Sequence, residues 1–503
     1  MVRISAIDVG SNAMRMVVGE VDEARRVSVI ENIRLPVRLG QDVFSKGYLE
    51  EKTLQQTEEA FLHFRHVADG FHVARMRAVA TSAAREAANN DLLVDRIFRT
   101  TGIEIEIISG EDEARLIHTA VTHVLDLKNK RTLLIDIGGG SIEVTISSGQ
   151  TIISTDSYNL GTVRLLETLN TQDKPKQIFG KLAREFVEAA RYRIEQDIGE
   201  EKIQVCVGTG GNVEEIGHLR QKLFKAESDR FVTLEEVARL IERLNDMSVE
   251  ERIRKLKLRP DRADVILPAS IVLHLIANEA GVKQIMIPNV GLKDGILHEI
   301  AEELSKSLAP QKREQVWESA LHLGRKYQFD EEHACLTAKL AGRLFEQSKS
   351  LHNLNGDNLL LLEAGALLHD IGHFINTIDH DKHGYYLLNA NRLIGLSLRE
   401  QNIVANLVRY HRKVSPSLED EDFKSLPQKD RLIIFKLAAL LRLADSLDIN
   451  HTGKVTDVIL REAKTGWRMK ISGEKDLMLV NWALEKRKSH FRDVFGVNLE
   501  MDE

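Results

Sequence analysis

Over the first 300 residues, short apolar runs alternate with stretches of helical spacing. Residues 4–9 and 14–21 are strand-like and flank the turn residues Gly10-Ser11-Asn12, which predicts a hairpin. Helical spacing follows over 52–69. A strand over 77–80 then leads into Thr81-Ser82, followed by a short β-branched strand over 103–108 and a helix over 111–125. The pattern then restarts. Residues 132–137 are an apolar strand ending in Asp136 and a glycine run, with 142–147 and 152–158 as hairpin partners. Helices are predicted over 161–170 and 177–197, and a strand over 203–207 runs into Gly208-Thr209-Gly210-Gly211. Helical patterns fill 233–280, and 284–287 is a last strand.

The two openings are alike. Ala6-Ile7-Asp8-Val9-Gly10-Ser11 and Ile135-Asp136-Ile137-Gly138-Gly139-Gly140-Ser141 are each an apolar strand, an aspartate, then glycine and serine. Residues 1–130 and 131–305 therefore read as two related α/β units, the mark of an internal duplication. After Pro310 the pattern changes. Residues 311–455 are helical in period and rich in histidine, and 456–503 reads as a small α+β appendage with strand-like runs at 455–460 and 467–471.

At roughly 100–200 residues per domain, 503 residues suggest about three or four domains. The only cysteines, Cys206 and Cys335, form no C-x-x-C pair, which favours a reducing compartment over a disulfide framework. Met1-Val2-Arg3-Ile4 enters a strand without an apolar leader, and no apolar stretch approaches the ~18 residues of a membrane span. A cytoplasmic protein is expected, with neither a membrane nor a nucleic-acid polymer as partner. The formal net charge of -7 gives no global attraction for a polyanion, so basic residues that bind one must be gathered locally.

Asp136-Ile137-Gly138-Gly139-Gly140-Ser141-Ile142-Glu143 carries the most chemistry. Consecutive glycines let backbone N–H groups turn toward an anion without a Cβ in the way, and the Ser141 hydroxyl adds a donor. Asp136 can hold Mg2+ directly or through water, and Glu143 can share that ion or orient water. Asp8, Gly10, Ser11 and Asn12 would supply a facing clamp. Gly208, Gly210 and Gly211 precede a helix start, a common anion site and equally a plain β-to-α turn. Ser109-Gly110-Glu111-Asp112-Glu113-Ala114-Arg115 crowds acids at a helix start. Capping explains some of them, and a general base for water attack on phosphorus explains one. The pattern alone does not choose among Glu111, Asp112 and Glu113.

These residues resemble the exopolyphosphatase and guanosine pentaphosphate phosphatase family of the actin-like (ASKHA) superfamily. The likeness runs in order through Asp8 to Asn12, Ala80-Thr81-Ser82-Ala83-Ala84-Arg85, Gly110 to Arg115, Asp136 to Glu143, Asn159-Leu160-Gly161-Thr162-Val163-Arg164, Gly208 to Asn212 and Arg262 to Pro268. It implies two RNase H-like lobes. It implies Glu113 as catalytic base, Asp136 and Glu143 as Mg2+ and water-positioning acids, and Thr81 and Arg85 beside the phosphate. It implies Gly138, Gly139, Gly140 and Ser141 at the terminal phosphates, with Asp8, Gly10, Ser11 and Asn12 opposite. It also implies a homodimer. One departure is Ala13, where the family often has serine, so one hydroxyl contact is missing. A polymer substrate needs a track as well, and Arg252, Arg254, Lys255, Lys257, Arg259 and Arg262 fall within eleven positions.

In the helical region, Leu367-Leu368-His369-Asp370-Ile371-Gly372-His373 places His-Asp on an apolar helix, where burial costs several kcal/mol unless the charge is paired or metal-bound. With His333 and Asp445 it is similar to the HD phosphohydrolase superfamily, which implies an all-α HD-like domain and a further divalent metal at His333, His369, Asp370 and Asp445. His383 and His411 would suit a second metal. The expected activity is Mg2+-assisted release of orthophosphate from inorganic polyphosphate ends. The alternatives are pppGpp 5′-phosphohydrolysis in the same cleft, a non-hydrolysing nucleotide-binding regulator, and an HD phosphohydrolase with a sensor N-terminal half.

Overall fold

The computed structural model comprises two compact units, Met1–Leu308 and Ala309–Glu503. The structure describes residues 2–22, 26–169, 201–304, 309–412, 415–463, 466–474 and 476–502, with 181, 185, 188, 195 and 196 between. The helix expected over 177–197 lies for the most part outside the described residues.

The first unit holds two sheets. One contains β1 (Val2–Val9), β2 (Met14–Val21), β3 (Val27–Leu35), β4 (Arg75–Ala80) and β5 (Ile105–Ile107), in the order β3-β2-β1-β4-β5. The other contains β6 (Arg131–Ile137), β7 (Ile142–Ser148), β8 (Thr151–Tyr158), β9 (Val205–Thr209), β10 (Phe231–Thr233) and β11 (Gln284–Met286), in the order β10-β11-β9-β6-β7-β8. Each opens with an antiparallel hairpin whose first strand pairs in parallel with a later one. Thus β1 lies between β2 and β4, and β6 between β7 and β9.

The likeness extends to register. Asp8 faces Arg15 across the first hairpin, and Asp136 faces Glu143 across the second. Each turn is closed by the same bond, from the Gly10 N–H to the Ala13 carbonyl (3.2 Å) and from the Gly138 N–H to the Ser141 carbonyl (3.1 Å). Ala13 and Ser141 therefore occupy equivalent places.

β6 and β7 are buried along nearly their whole length because helices cover both faces, which is why their sequences lack polar alternation. Leu133, Ile135 and Ile137 enter the core of the second sheet. Leu134 points the other way, into a core shared with Ile4, Ala6 and Val79 of the first sheet. Two helices fill that shared core, Gly110–Val124 through Leu116 and Ile117, and Leu292–Glu303 through Leu292, Ile296 and Ile300. The second helix follows the second sheet in sequence yet packs with β1 and β2, so the expected lobe of 131–305 gives its last helix back to the first lobe.

In the second unit, the helices Glu331–Gln347, Gly356–Leu368, Leu398–Arg409 and Gln428–Leu447 surround one apolar core. The tail folds into β12 (Val455–Ala463), β13 (Gly466–Gly473) and β14 (Leu499–Met501), with the helix Met478–Phe495. Val458, Trp467, Met469, Leu484 and Phe491 join that same core, so the appendage and the helices pack as one body.

Because Ile296 is fully buried between the two sheets, Ile296→Ala is expected to lower the stability of the first unit by about 2–5 kcal/mol. Far-UV circular dichroism during urea unfolding reports this loss. The three tryptophans, Trp317, Trp467 and Trp482, lie in the second unit, so their fluorescence reports on that unit.

Candidate active site

The two hairpin turns of the first unit meet. Ser11 Oγ lies 3.0 Å from Ser82 Oγ at the end of β4. A Cβ on Gly140 would drive into the Ser82 hydroxyl and the Phe44 ring, so close approach requires glycine there. The carbonyls of the glycine turn are committed. Gly138 accepts from the Thr162 N–H at 3.1 Å and Gly139 from the Val163 N–H at 2.8 Å, while Gly140 accepts from Arg164 Nε at 2.7 Å. In a trans peptide the C=O and N–H point opposite ways. The N–H groups of Gly139, Gly140 and Ser141 therefore turn away from the helix Thr162–Leu169 and form a concavity suited to an anion.

Gly210, at φ +92°, turns the chain from β9 into the helix Gly211–Phe224. The guanidinium groups of Arg15 and Arg262 crowd the space where Gly211 would carry a Cβ. Arg262 is buried and donates to Asn212 Oδ1 at 2.7 Å; burial, then the charges of Arg15 and Arg34, push its pKa down to about 10. A helix N-terminus flanked by two arginines attracts an anion. Gly208, expected with the phosphate set, lies inside β9, where a Cβ would meet Val213 and Ile285. Its smallness serves packing.

Glu113 enters from the first turn of Gly110–Val124, whose cap is Ser109 Oγ accepting the Asp112 N–H at 3.1 Å. Glu111 and Asp112 are part-exposed on that turn, whereas Glu113 is buried. Asp136 and Glu143 are buried cross-strand neighbours, and one oxygen from each of the three acids lies within 4.8 Å of the others. Asp136 Oδ1 accepts from Thr209 Oγ1 at 2.5 Å, and Glu143 Oε1 from Ser157 Oγ at 2.9 Å. Glu113 Oε2 and Glu143 Oε2 are buried with no hydrogen-bond partner among the described residues.

At that spacing each pair of ionised carboxylates repels by about 3 kcal/mol at an effective dielectric near 20. Burial first, and then Glu143 and Asp136, hold Glu113 well above the ordinary carboxylate range. Burial lifts Asp136 to about 6 against the Thr209 bond, and burial with Asp136 lifts Glu143 to about 7. Asp8 is also raised by burial, opposed by Arg15 and Lys293. Three buried acids, two of them with an orphaned oxygen, are a fit donor set for a divalent cation.

Arg85 donates to the Ile108 carbonyl at 2.7 Å, and its charge lowers both Glu113 and Glu143. The Thr81 N–H ties β4 to the Val9 carbonyl at 3.2 Å, and Asn12 Nδ2 reaches the Asp261 carbonyl at 3.0 Å. The six basic residues expected as a track divide. Arg252 is buried and donates to the carbonyls of Leu244 and Ala263, so it braces the fold and is closed to a polymer. Arg262 belongs to the helix N-terminus above. Arg254, Lys255, Lys257 and Arg259 are exposed, with Lys255 paired to Glu251 and Arg259 beside Asp261. Sequence reasoning left out Arg15, whose signal is a charge in an apolar strand opposite Asp8.

In the second unit His333, His369, Asp370 and Asp445 come together at helix ends and a helix face. His411 joins them, 3.6 Å from Asp370 Oδ1. His383 does not. The histidine that converges is His380, three residues earlier, 3.4 Å from the same oxygen. The helix His380–Ala390 buries His380, Gly384, Leu387 and Leu388, and position 383 falls off that face. His373, His451 and Asp448 also belong to the cluster and were not expected. Burial opposes the Asp370 charge, but His369 and bonds from His373, His380 and His411 outweigh it and hold Asp370 well below its ordinary value. Conversely, burial opposes charge on His369, yet Asp370 and Asp445 lift it to about 9. The centre attracts positive charge.

Two lobes of like topology closing on paired hairpin turns define an actin-like phosphoryl-binding fold. The chain belongs to the Ppx/GppA phosphatase family, whose family model matches residues 17–304, and a model of Ppx/GppA phosphatase domain III matches 317–488. Phosphatases of this family hydrolyse phosphoanhydride bonds. The chain is 28% identical over 451 residues to a guanosine-5′-triphosphate,3′-diphosphate pyrophosphatase of Photobacterium profundum, covering 87% of this chain and 84% of that protein. The Aquifex aeolicus Ppx/GppA structure is 25% identical with a TM-score of 0.53, over 61% of this chain and 99% of that one. An exopolyphosphatase structure from Cytophaga hutchinsonii shares the fold at a TM-score of 0.57 and 23% identity, over 60% of this chain and 98% of its own. Among the described residues, no helix is long and apolar enough to cross a membrane.

Protons and a divalent cation compete for the same three acids. Phosphatase activity in metal-poor buffer is expected above pH 7 and lost as pH falls, because Glu143, at about 7, and the raised Glu113 then take up protons. Raising the divalent cation should move this acid limb by about one pH unit or more to lower pH. Rate–pH profiles at several cation concentrations test this, and a limb that stays fixed contradicts it.

Proposed function

We propose that the first unit releases orthophosphate from the ends of linear inorganic polyphosphate by water attack in the cleft between its sheets. The observation that carries this reading is the buried trio Glu113, Asp136 and Glu143 beside the glycine turn 138–140. In this reading the N–H groups of Gly139, Gly140 and Ser141 bind the terminal phosphate, and Gly10, Ser11 and Asn12 close on it from the facing turn. Glu113 Oε2 accepts the proton of the attacking water, a role suited to a carboxyl group whose basicity burial has increased. Arg85 offsets negative charge on the phosphoryl oxygens.

Asp136 and Glu143 would hold Mg2+, which when bound supplies positive charge against the charge that builds on the transferred group. Arg15 and Arg262, at the N-terminus of Gly211–Phe224, fit the next phosphate of a chain. Of the exposed Arg254, Lys255, Lys257 and Arg259, Lys255 is paired with Glu251 and Arg259 lies beside Asp261, so in this reading Arg254 and Lys257 would carry the charge that meets a longer chain.

A second reading, removal of the 5′ terminal phosphate of pppGpp in the same cleft, is favoured by the likeness to the Photobacterium profundum protein. Phosphate release from long-chain polyphosphate and from pppGpp, measured side by side, separates the two. The first reading expects faster release from polyphosphate, and faster release from pppGpp supports the second. In either case Glu113→Gln is expected to lower kcat by about 10²–10⁴ with little change in KM. An unchanged kcat would remove Glu113 from the mechanism.

A further inference from the structure

The peptides of the glycine turn are held by different means. The Gly138 carbonyl accepts the Thr162 N–H (3.1 Å), and the Gly139 carbonyl accepts the N–H groups of Val163 (2.8 Å) and Arg164 (3.1 Å). These bonds run from backbone to backbone within the lobe built on the second sheet. The Gly140 carbonyl has one long backbone bond, from the Gly161 N–H at 3.3 Å, and one short bond from a side chain, Arg164 Nε at 2.7 Å. Glycine at 140 leaves the peptide between Gly140 and Ser141 free to turn over. The orientation of its N–H therefore depends on that guanidinium.

The guanidinium is in turn held from across the cleft. Arg164 lies on the helix Thr162–Leu169, which packs on the second sheet through Leu165. Its Nη2 donates to Glu86 Oε1, and its Cζ sits 4.1 Å from the centre of the Phe44 ring. Glu86 ends the helix Ser82–Glu86 that follows β4, and Phe44 belongs to the helix Leu39–Lys46 and packs on the core of the first sheet. A charged hydrogen bond and an aromatic face together fix both the place and the plane of the guanidinium. The Arg164 side chain is only 16% exposed, so water competes little for it.

We propose that Arg164 is a positioning residue for phosphate binding: with Glu86 and Phe44 from the facing lobe, it holds the Gly140–Ser141 peptide so that the Ser141 N–H faces the phosphate. This role rests on the reading of the glycine turn as the seat of the terminal phosphate. In a trans peptide the C=O and N–H oppose each other, so a bond that draws the Gly140 carbonyl toward Arg164 turns the Ser141 N–H toward the cleft. Without the guanidinium the peptide can rotate and present its carbonyl oxygen to the phosphate. One donor is then lost and a repelling acceptor takes its place.

The same contacts make the phosphate seat depend on a closed cleft. The turn belongs to one lobe, whereas Glu86 and Phe44 belong to the other. When the lobes part, Arg164 loses both, and the Gly140 carbonyl keeps only its long bond from Gly161 as a fixed hold. By linkage, a phosphate that binds the Ser141 N–H favours the closed arrangement.

The test measures orthophosphate release by the full chain, with Mg2+, from long-chain polyphosphate and from pppGpp. Arg164→Ala is expected to lower kcat/KM by about 10²-fold on whichever substrate the wild type cleaves, the scale of losing one preorganised donor. Millimolar methylguanidinium should restore activity to Arg164→Ala, whereas a damaged fold would only be weakened further by such a cation. Glu86→Gln, at the exposed end of its helix, should cost about 2–5-fold in the wild-type background and nothing further in Arg164→Ala. Unchanged kcat/KM in Arg164→Ala overturns the proposal. So does a loss that methylguanidinium fails to restore, or a Glu86→Gln loss of equal size in both backgrounds. Glu113→Gln is assayed beside them. Full activity there removes the cleft as the reacting site, whereas a loss there with none in Arg164→Ala removes only the role of Arg164.

Discussion

Three carboxylates buried without enough positive charge to balance them are the constraint on which the first unit turns. Glu113, Asp136 and Glu143 come from a helix and two paired strands, all fixed by the apolar core between the sheets. Leu116 and Ile117 anchor the helix one turn beyond Glu113, and Ile135 and Ile137 bracket Asp136. The packing sets the acids in place and their mutual repulsion is the cost. That cost leaves a pocket of negative potential beside a turn whose N–H groups invite a phosphate, the combination that metal-assisted phosphoryl chemistry needs.

The duplicated hairpins show how one backbone device can serve two ends. Both turns close with the same hydrogen bond, and both follow an aspartate one residue before the strand ends. The cross-strand partner differs. Arg15 opposite Asp8 brings positive charge, whereas Glu143 opposite Asp136 adds a second acid. The first hairpin thereby adds positive charge, and the second adds negative charge beside a glycine turn whose N–H groups suit an anion. In the second unit, imidazoles oriented through Nδ1 surround a single carboxylate, that of Asp370.

Much of this was legible in the sequence where turn chemistry and burial agree. Gly10-Ser11-Asn12 and Gly138-Gly139-Gly140-Ser141 marked both hairpins because apolar strands flank them. β3 escaped notice because most of its positions are exposed or half-buried and it shows no apolar run. No helix is predicted over 292–303, which falls within the unit 131–305, and only long-range packing sets the helix Leu292–Glu303 against the first sheet. Arg252 read as surface charge, although with Leu256 it lies on the buried face of its helix. His380 was passed over for His383, a choice that the spacing to Gly384 and Leu387 could have corrected. His451 follows the helix Gln428–Leu447 in a turn, and no periodicity points to it.

The central claim is that the first unit holds its acids at a cost in stability that a cation relieves. The melting temperature of Glu143→Gln against wild type, at pH 8 without divalent metal, tests it directly. At that pH Glu143, lifted to about 7, is largely ionised and destabilises the fold, since the same group in the unfolded chain ionises freely. The account predicts a higher melting temperature for Glu143→Gln, a gain of about 1–3 kcal/mol, that shrinks when Mg2+ is added. An unchanged or lower melting temperature would mean that the charge is already compensated, and would contradict it.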